Sequence, residues 1–230
     1  MTLYQLRVAT WNCQHGNPDP EKLGAAVASV DVDVLAMQEV DRRSHRVGDR
    51  DQAAEATAAF GGELVWAPAM SYQGGEFGNA LLVRGEVRRS VVVTLPGRQN
   101  REPRVAALAE VEAGGRSWSV AATHLTTVRS VVRHQLLALL DVLSGWPAPR
   151  ILVGDLNMEP PALLPWMTAE GYHMALGPLT HSVRRPRRQI DHIAVAGRHC
   201  SVATLEARAL PVGDHLALLA EVRSETRPRS

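Results

Sequence analysis

Several things are scarce in this chain, and each scarcity removes a class of protein. Cys13 and Cys200 are its only cysteines, so there is no disulfide framework and no Cys-x-x-Cys metal pair; reduced thiols and a cytoplasmic setting are expected. Aromatic residues make up 4%, too little for the stacking platforms that hold single-stranded nucleic acid. No apolar run reaches the about 18 residues of a membrane span, and the opening "MTLYQLRVATWN" lacks the basic-then-apolar pattern of a secretory signal. Charge of one sign is also lacking. Lys+Arg 25 against Asp+Glu 24 leaves +1, so any recognition of phosphate has to be local rather than the work of a global field.

What is present is a globular composition, 45% hydrophobic and 21% charged over 230 residues, enough for one domain with a substantial core. Alternating apolar residues predict strands over 3–11 and 32–38, the second ending in Glu39. Between them, Pro18 and Pro20 open a helix over 21–30. A charged, loop-like stretch at 41–51 leads to a helix over 52–60 closed by Gly61 and Gly62. Strands with short turns fill 63–118, followed by an amphipathic helix over 128–143, a strand at "ILVGD" and a helix over 161–170. Three strands, 189–196, 201–209 and 216–222, end the pattern. About ten strands and three or four helices in mixed order predict an α/β protein. Two packed mixed sheets flanked by helices are expected, in one domain over 1–223 with a frayed tail over 224–230.

Polar residues of a narrow set stand at the ends of these apolar runs: Asn12, Glu39, His124, Asp155, Asn157, Asp191, Asp214 and His215. Singly each has a bland account, because strands stop at polar residues and Asp-x-Asn is ordinary turn chemistry. Together they hold acceptors, amide donors and imidazoles but neither serine nor lysine. That points away from a nucleophilic serine. His192, next to Asp191 on the same strand, faces the opposite side and is expected to be structural.

In chain order "TWN", "QE", "REPR", "THL", "GDLN", "IDH" and "GDH" resemble the endonuclease/exonuclease/phosphatase superfamily of metal-dependent hydrolases, and "EVDRRSHRVGDRDQ" resembles its small bacterial members. The resemblance implies a four-layered α/β sandwich and a phosphoesterase that uses Mg²⁺ or Mn²⁺. It implies Glu39 as the principal metal ligand with Asn12 and Asp214, and Asp155 as the residue that orients or deprotonates the attacking water. Asn157 would donate to the nucleophile or a phosphoryl oxygen, and His215 to a nonbridging oxygen with Asp191 as its partner. His124 matches the family's second histidine, with Glu76 as a candidate partner, and Asn79 a phosphate-side amide. Gly213 stands where many members have serine, which removes a hydroxyl but leaves the Asp-His pair. Arg101 and Arg104 of "REPR", and Arg184, Arg185, Arg187 and Arg188 of "HSVRRPRRQIDH", are substrate-binding candidates because guanidinium groups fork onto phosphate oxygens. The substrate is then a phosphate ester, with nucleic acid, a phospholipid head group and a soluble phosphate ester all open. A nonspecific or nicking endonuclease and a non-catalytic phosphate-binding module are the alternatives. No protein partner is implied.

Overall fold

The computed structural model describes residues 2–16, 20–98 and 101–226. The elements run β1 (Thr2–Asn12), α1 (Pro20–Ala28), β2 (Val34–Arg42), α2 (Gln52–Phe60), β3 (Glu63–Tyr72), β4 (Gly75–Val83), β5 (Glu86–Thr94) and β6 (Val105–Ala113). They continue with β7 (Arg116–His124), α3 (Arg129–Ser144), β8 (Arg150–Asp155), α4 (Pro160–Ala169), β9 (Tyr172–Met174), β10 (Asp191–Ala196), β11 (Cys200–Arg208) and β12 (Ala217–Thr226). The strands form two six-stranded sheets, β11-β12-β1-β2-β4-β3 and β5-β6-β7-β8-β10-β9. Both are mixed: β1 runs parallel to β2 and β7 to β8, and their other pairings are antiparallel.

The period-2 alternation decides which face of each strand meets what. Leu6 and Val8 of β1, Val34 and Ala36 of β2, Val120 and Ala122 of β7, Ile151 and Val153 of β8, and Ile193 and Val195 of β10 share one core between the sheets. The residues between them face outward. Ala9, Trp11, Leu35 and Met37 pack with residues of α1 and α2, such as Leu23, Val27 and Phe60. Leu152 and Ala194 pack with Leu136, Leu139 and Leu163 of α3 and α4. Helix, sheet, sheet and helix layers result, as the sequence pattern predicts.

The differences from expectation are local. Among the described residues the sheets hold twelve strands where about ten were expected, and three-residue β9, too short to carry a period, has no counterpart in the sequence pattern. Strand β2 runs on through Arg42, so the start of the charged stretch is sheet. Asp41 there is fully buried against Arg46 at 2.9 Å, because an ion pair replaces the hydration of its carboxylate. Strand β12 continues to Thr226, so residues 224–226 are paired with β1 and not a frayed tail. Pro18 and residues 227–230 lie outside the described residues, and α1 begins at Pro20.

Gly154 is the tightest point of the second sheet. Its φ is +148°, and a Cβ added there would sit 2.0 Å from the carbonyl oxygen of Thr123 on neighbouring β7. Neither backbone can move without moving His124 or Asp155, so Gly154→Ala is expected to lower Tm by about 2–12 °C, given roughly 2–4 °C per kcal/mol at this size and about 1–3 kcal/mol for forced overpacking. Gly171→Ala, where φ is +74° but no atom lies within 4 Å, is the control and should cost less. Equal losses in thermal melts would show that the close strand approach is not what demands glycine.

Candidate active site

Four site residues extend the inward-facing phase of the core residues of their strands. Asn12 continues the phase of Val8 and Thr10, His124 that of Ala122, and Asp155 that of Val153; Asp191 precedes Ile193 in the same phase. The polar mouth of the inter-sheet core is therefore an outcome of register. His124 and Asp191 are both Cα register partners of Asp155, from β7 on one side and β10 on the other. Glu39 obeys a different rule. A bulge interrupts the β2–β4 register between Met37 and Val40, and Glu39 takes φ +62°, a left-handed conformation uncommon outside glycine. The extra residue breaks the alternation that would send Glu39 toward the helices with Met37 and Val40.

One amide ties the two sheets together. Asn12 Nδ2 donates to Glu39 Oε1 at 3.0 Å and to Asp155 Oδ2 at 3.2 Å. Asp155 Oδ2 also faces His124 Nε2 at 3.5 Å and His215 Nε2 at 3.9 Å, while His215 Nδ1 meets Asp191 Oδ2 at 2.9 Å. Asn12, His124, Asp155, Asp191 and His215 are all buried, and Asp191 Oδ1 has no hydrogen-bond partner among the described residues.

Burial and neighbours set the charges. For Asp155, burial first and then the charge of Asp191 push the carboxyl up to about 7, against the pull of His215 and Asn12. Burial would lower His215, but the hydrogen bond and charge of Asp191, helped by Asp155 and Asp214, raise it to about 9, so it is an imidazolium at neutral pH. Burial and then the Arg104 guanidinium hold His124 down at about 3, so it is neutral. Glu39 is held at about 2: burial opposes its charge, and the Asn12 amide, His124 and two contacts from His15 outweigh that cost.

The remaining candidates divide. Asn157 N–H donates to Asp155 Oδ1 at 3.0 Å with φ +51°, so the Asp-x-Asn turn is formed; its side-chain amide donates to the Leu125 carbonyl at 2.9 Å. Asn79 Nδ2 donates to the Val105 carbonyl at 3.2 Å, from the first sheet to the second. Both amides are stitched to backbone. Glu76 accepts from Trp66 Nε1 at 2.9 Å, and the carboxylate that faces His124 is Asp155. Asp214 is not bonded to Asn12 or Glu39; it is partly exposed, with its Oδ2 4.0 Å from His181 Nε2. Arg104 is nearly buried against Glu102 at 2.8 Å, with its Nε unpaired among the described residues. Arg101 and Arg184 are exposed without a side-chain partner among the described residues, and exposed Arg188 pairs with Glu159 at 3.1 Å. His192 faces the helices and meets the Met158 carbonyl at 2.8 Å, as expected.

Two histidines were missed by the sequence reading. His15, three residues past Asn12, has Nδ1 2.6 Å from Glu39 Oε2, and its N–H donates to the same oxygen at 3.1 Å. His181 packs against His215 with ring centroids 4.7 Å apart and the rings tilted by 60°. Both sit in loops where no period marks them. Depressions flank the cluster, one of about 390 Å³ beside Asn157 and Arg188 and one of about 330 Å³ beside Asp214 and Arg184.

The chain resembles known proteins in both sequence and fold. The sequence model of the Endonuclease/Exonuclease/phosphatase family matches residues 9–215. An endonuclease/exonuclease/phosphatase from Beutenbergia cavernae is 20% identical with a TM-score of 0.78, covering 96% of this chain and 72% of that one. One from Bacteroides vulgatus is 19% identical at TM-score 0.76, covering 96% and 99%. The human Nocturnin catalytic domain is 19% identical at 0.71, covering 95% and 94%. At these identities the structural likeness is one of fold. No curated protein matches the sequence. The family match spans every strand-end residue from Asn12 to His215, and the chain belongs to the endonuclease/exonuclease/phosphatase family.

Proposed function

We propose that this protein is a divalent-metal-dependent phosphoesterase that hydrolyses a phosphate ester by attack of an activated water. The observation that carries the reading is the convergence on Asp155 of Asn12 with Glu39 from one sheet and of His124 and the Asp191–His215 pair from the other. A buried acid raised to about 7 beside a charged histidine supports the same reading, because sites that move protons hold such perturbed groups.

The donor set fits a hard divalent cation. Glu39 and Asp155 are carboxylates brought to one amide nitrogen, with Asp191 close behind, and the His215 cation faces Asp155 at 3.9 Å. Such a cluster of oxygen acceptors with excess negative charge suits Mg²⁺ or Mn²⁺. Glu39 would hold it, with Asn12 and Asp155 beside it and Asp214 approaching only by side-chain movement. When bound, the cation neutralises phosphate charge and draws electron density from the reacting oxygen.

The chain's own groups supply the rest. Asp155, ionised, accepts the proton of the attacking water. The His215 imidazolium donates from Nε2 to a phosphoryl oxygen as negative charge builds there, and Asp191 on Nδ1 keeps it charged and oriented. Arg104, nearly buried with one N–H unpaired, offers a fixed guanidinium to a second phosphoryl oxygen. Asn157 and Asn79 act by fixing the strands that carry Asp155 and by joining the sheets. Arg101, Arg184 and Arg188 would meet the substrate from the rim, where the two depressions receive the groups on either side of the phosphorus.

His215→Ala should lower turnover of a generic chromogenic phosphodiester at saturating Mg²⁺ by on the order of 10²-fold or more, the range for removal of an oxyanion donor, measured below the variant's Tm because the change leaves Asp191 buried without its partner. Asp191→Asn should lose turnover in the same direction, and the double variant less than the sum, because the two act as a unit. Additive losses would separate the pair, and an active His215→Ala enzyme would remove it from the chemistry. Glu39→Gln should weaken Mg²⁺ or Mn²⁺ binding in calorimetry; unchanged affinity would take Glu39 out of the metal's ligands.

A pH prediction follows from Asp155. Its folded pKa of about 7 lies above the about 3.9 of a free aspartate, so the folded metal-free protein holds this proton more tightly than the unfolded chain does. That contribution to stability is complete below pH ~4 and is lost as pH rises through ~7. Metal-free Asp155→Asn is therefore expected to melt at least about 2–4 °C above the wild type at pH 8, with the gap closing toward pH 4. A gap that is constant with pH would mean Asp155 carries no such shift.

A further inference from the structure

The segment before β10 runs alongside the segment before β12. Val183 N–H donates to the Asp214 carbonyl and Leu216 N–H to the Thr180 carbonyl, each at 2.8 Å, and His181 bridges His215. This short ladder holds His181, Asp214 and His215 side by side at the mouth of the cleft. One ligand atom from each lies within 4.8 Å of the others, and His181 Nε2 stands 4.0 Å from Asp214 Oδ2. Around a tetrahedral ion with Zn–N bonds of about 2.0–2.1 Å, neighbouring ligand atoms are about 3.4 Å apart. Small side-chain rotations close that difference, and the His181 and Asp214 side chains are 36% and 44% exposed, so solvent reaches them.

The donor chemistry differs from that of the Glu39 cluster. Two imidazoles and one carboxylate suit a borderline cation and not magnesium, which prefers oxygen throughout. His215 is also supported in the manner of metal-binding histidines: the Asp191 carboxylate occupies Nδ1 at 2.9 Å, leaving Nε2, 3.9 Å from Asp155 Oδ2, as the ring nitrogen available to ligate. The whole carboxylate–imidazole unit is buried, and Asp191 itself is 0% exposed with an unpartnered Oδ1.

We propose that His181, Asp214 and His215 form a second metal site, selective for borderline divalent cations of the Zn²⁺ class, whose occupation switches the enzyme off. The His215 Nε2 lone pair that ligates the ion is the position that carries the proton donated to the phosphoryl oxygen, so ligation and donation exclude each other. The binding claim stands on this geometry alone; the inhibitory consequence rests on the phosphoesterase reading.

The test is Zn²⁺ titration of the full chain at saturating Mg²⁺, by calorimetry, with Co²⁺ as a spectroscopic substitute. One Zn²⁺ per chain is expected, and Co²⁺ should give the visible absorption of a low-coordinate site. His181→Gln should weaken Zn²⁺ binding by at least about 10-fold, as losses around a metal site do, and raise by a similar factor the Zn²⁺ concentration that halves its own Mg²⁺-supported rate. Glu39→Gln should bind Zn²⁺ as the wild type does. X-ray absorption at the zinc edge of the wild-type complex should show two imidazole nitrogens, a result that does not depend on any variant folding. Unchanged Zn²⁺ affinity in a folded His181→Gln protein, or a shell of oxygens alone, would overturn the site. Intact two-imidazole binding in a protein without phosphodiester turnover would leave the site standing and sink the phosphoesterase reading instead.

Discussion

The structure is organised around the cost of keeping carboxylates out of water where two sheets meet. Glu39, Asp155 and Asp191 stand at the open end of an apolar inter-sheet core, and two of the three are essentially inaccessible. Charges in that position require opposite charges or donors, and each surrounding feature supplies one. Asn12 gives one amide to two carboxylates, His215 becomes a cation on Asp191, and Asp155, the least compensated, holds its proton to about 7. The Glu39 bulge is a backbone consequence of the same demand, because it lets a carboxylate occupy a place that regular strand alternation would deny it, while the glycine at 154 lets the strands carrying His124 and Asp155 approach closely.

Much of this was legible in the sequence because register is a period-2 property. Asn12, His124, Asp155 and Asp191 are each in phase with the apolar residues of their own strands, so a reader who assigns the strands also assigns the direction of these side chains. The same logic correctly turned His192 away. Glu39 was found through its motif and not its phase; alternation alone would have sent it to the helices. Helix α2 was legible to the residue because Asp51 caps it and Gly61 ends it in a left-handed turn. Strand β9 was not, since three residues carry no pattern.

The loops show where such reading stops. His15 and His181 contact Glu39 and His215 through turns whose path is set by tertiary pairing, so neither spacing nor period announces them. Asn157 teaches the opposite lesson. Its position in "GDLN" suggested a catalytic donor, yet the turn chemistry that any Asp-x-Asn offers is what the structure contains, with the amide committed to Leu125. Asp214 was grouped with Glu39 by motif, while side-chain geometry groups it with two histidines. Motif order places residues in the cleft; distances assign them to clusters within it.

The central claim is that a divalent cation takes the place of the proton that the buried acid cluster holds. Proton release on Mg²⁺ binding measures this directly, by titration calorimetry at pH 7 in buffers of different ionisation enthalpy. With Asp155 near 7, about half a proton should leave per Mg²⁺ bound, more at pH 6 and less at pH 8, and Asp155→Asn should abolish the release. Mg²⁺ binding with no proton release at any of these pH values would contradict the account.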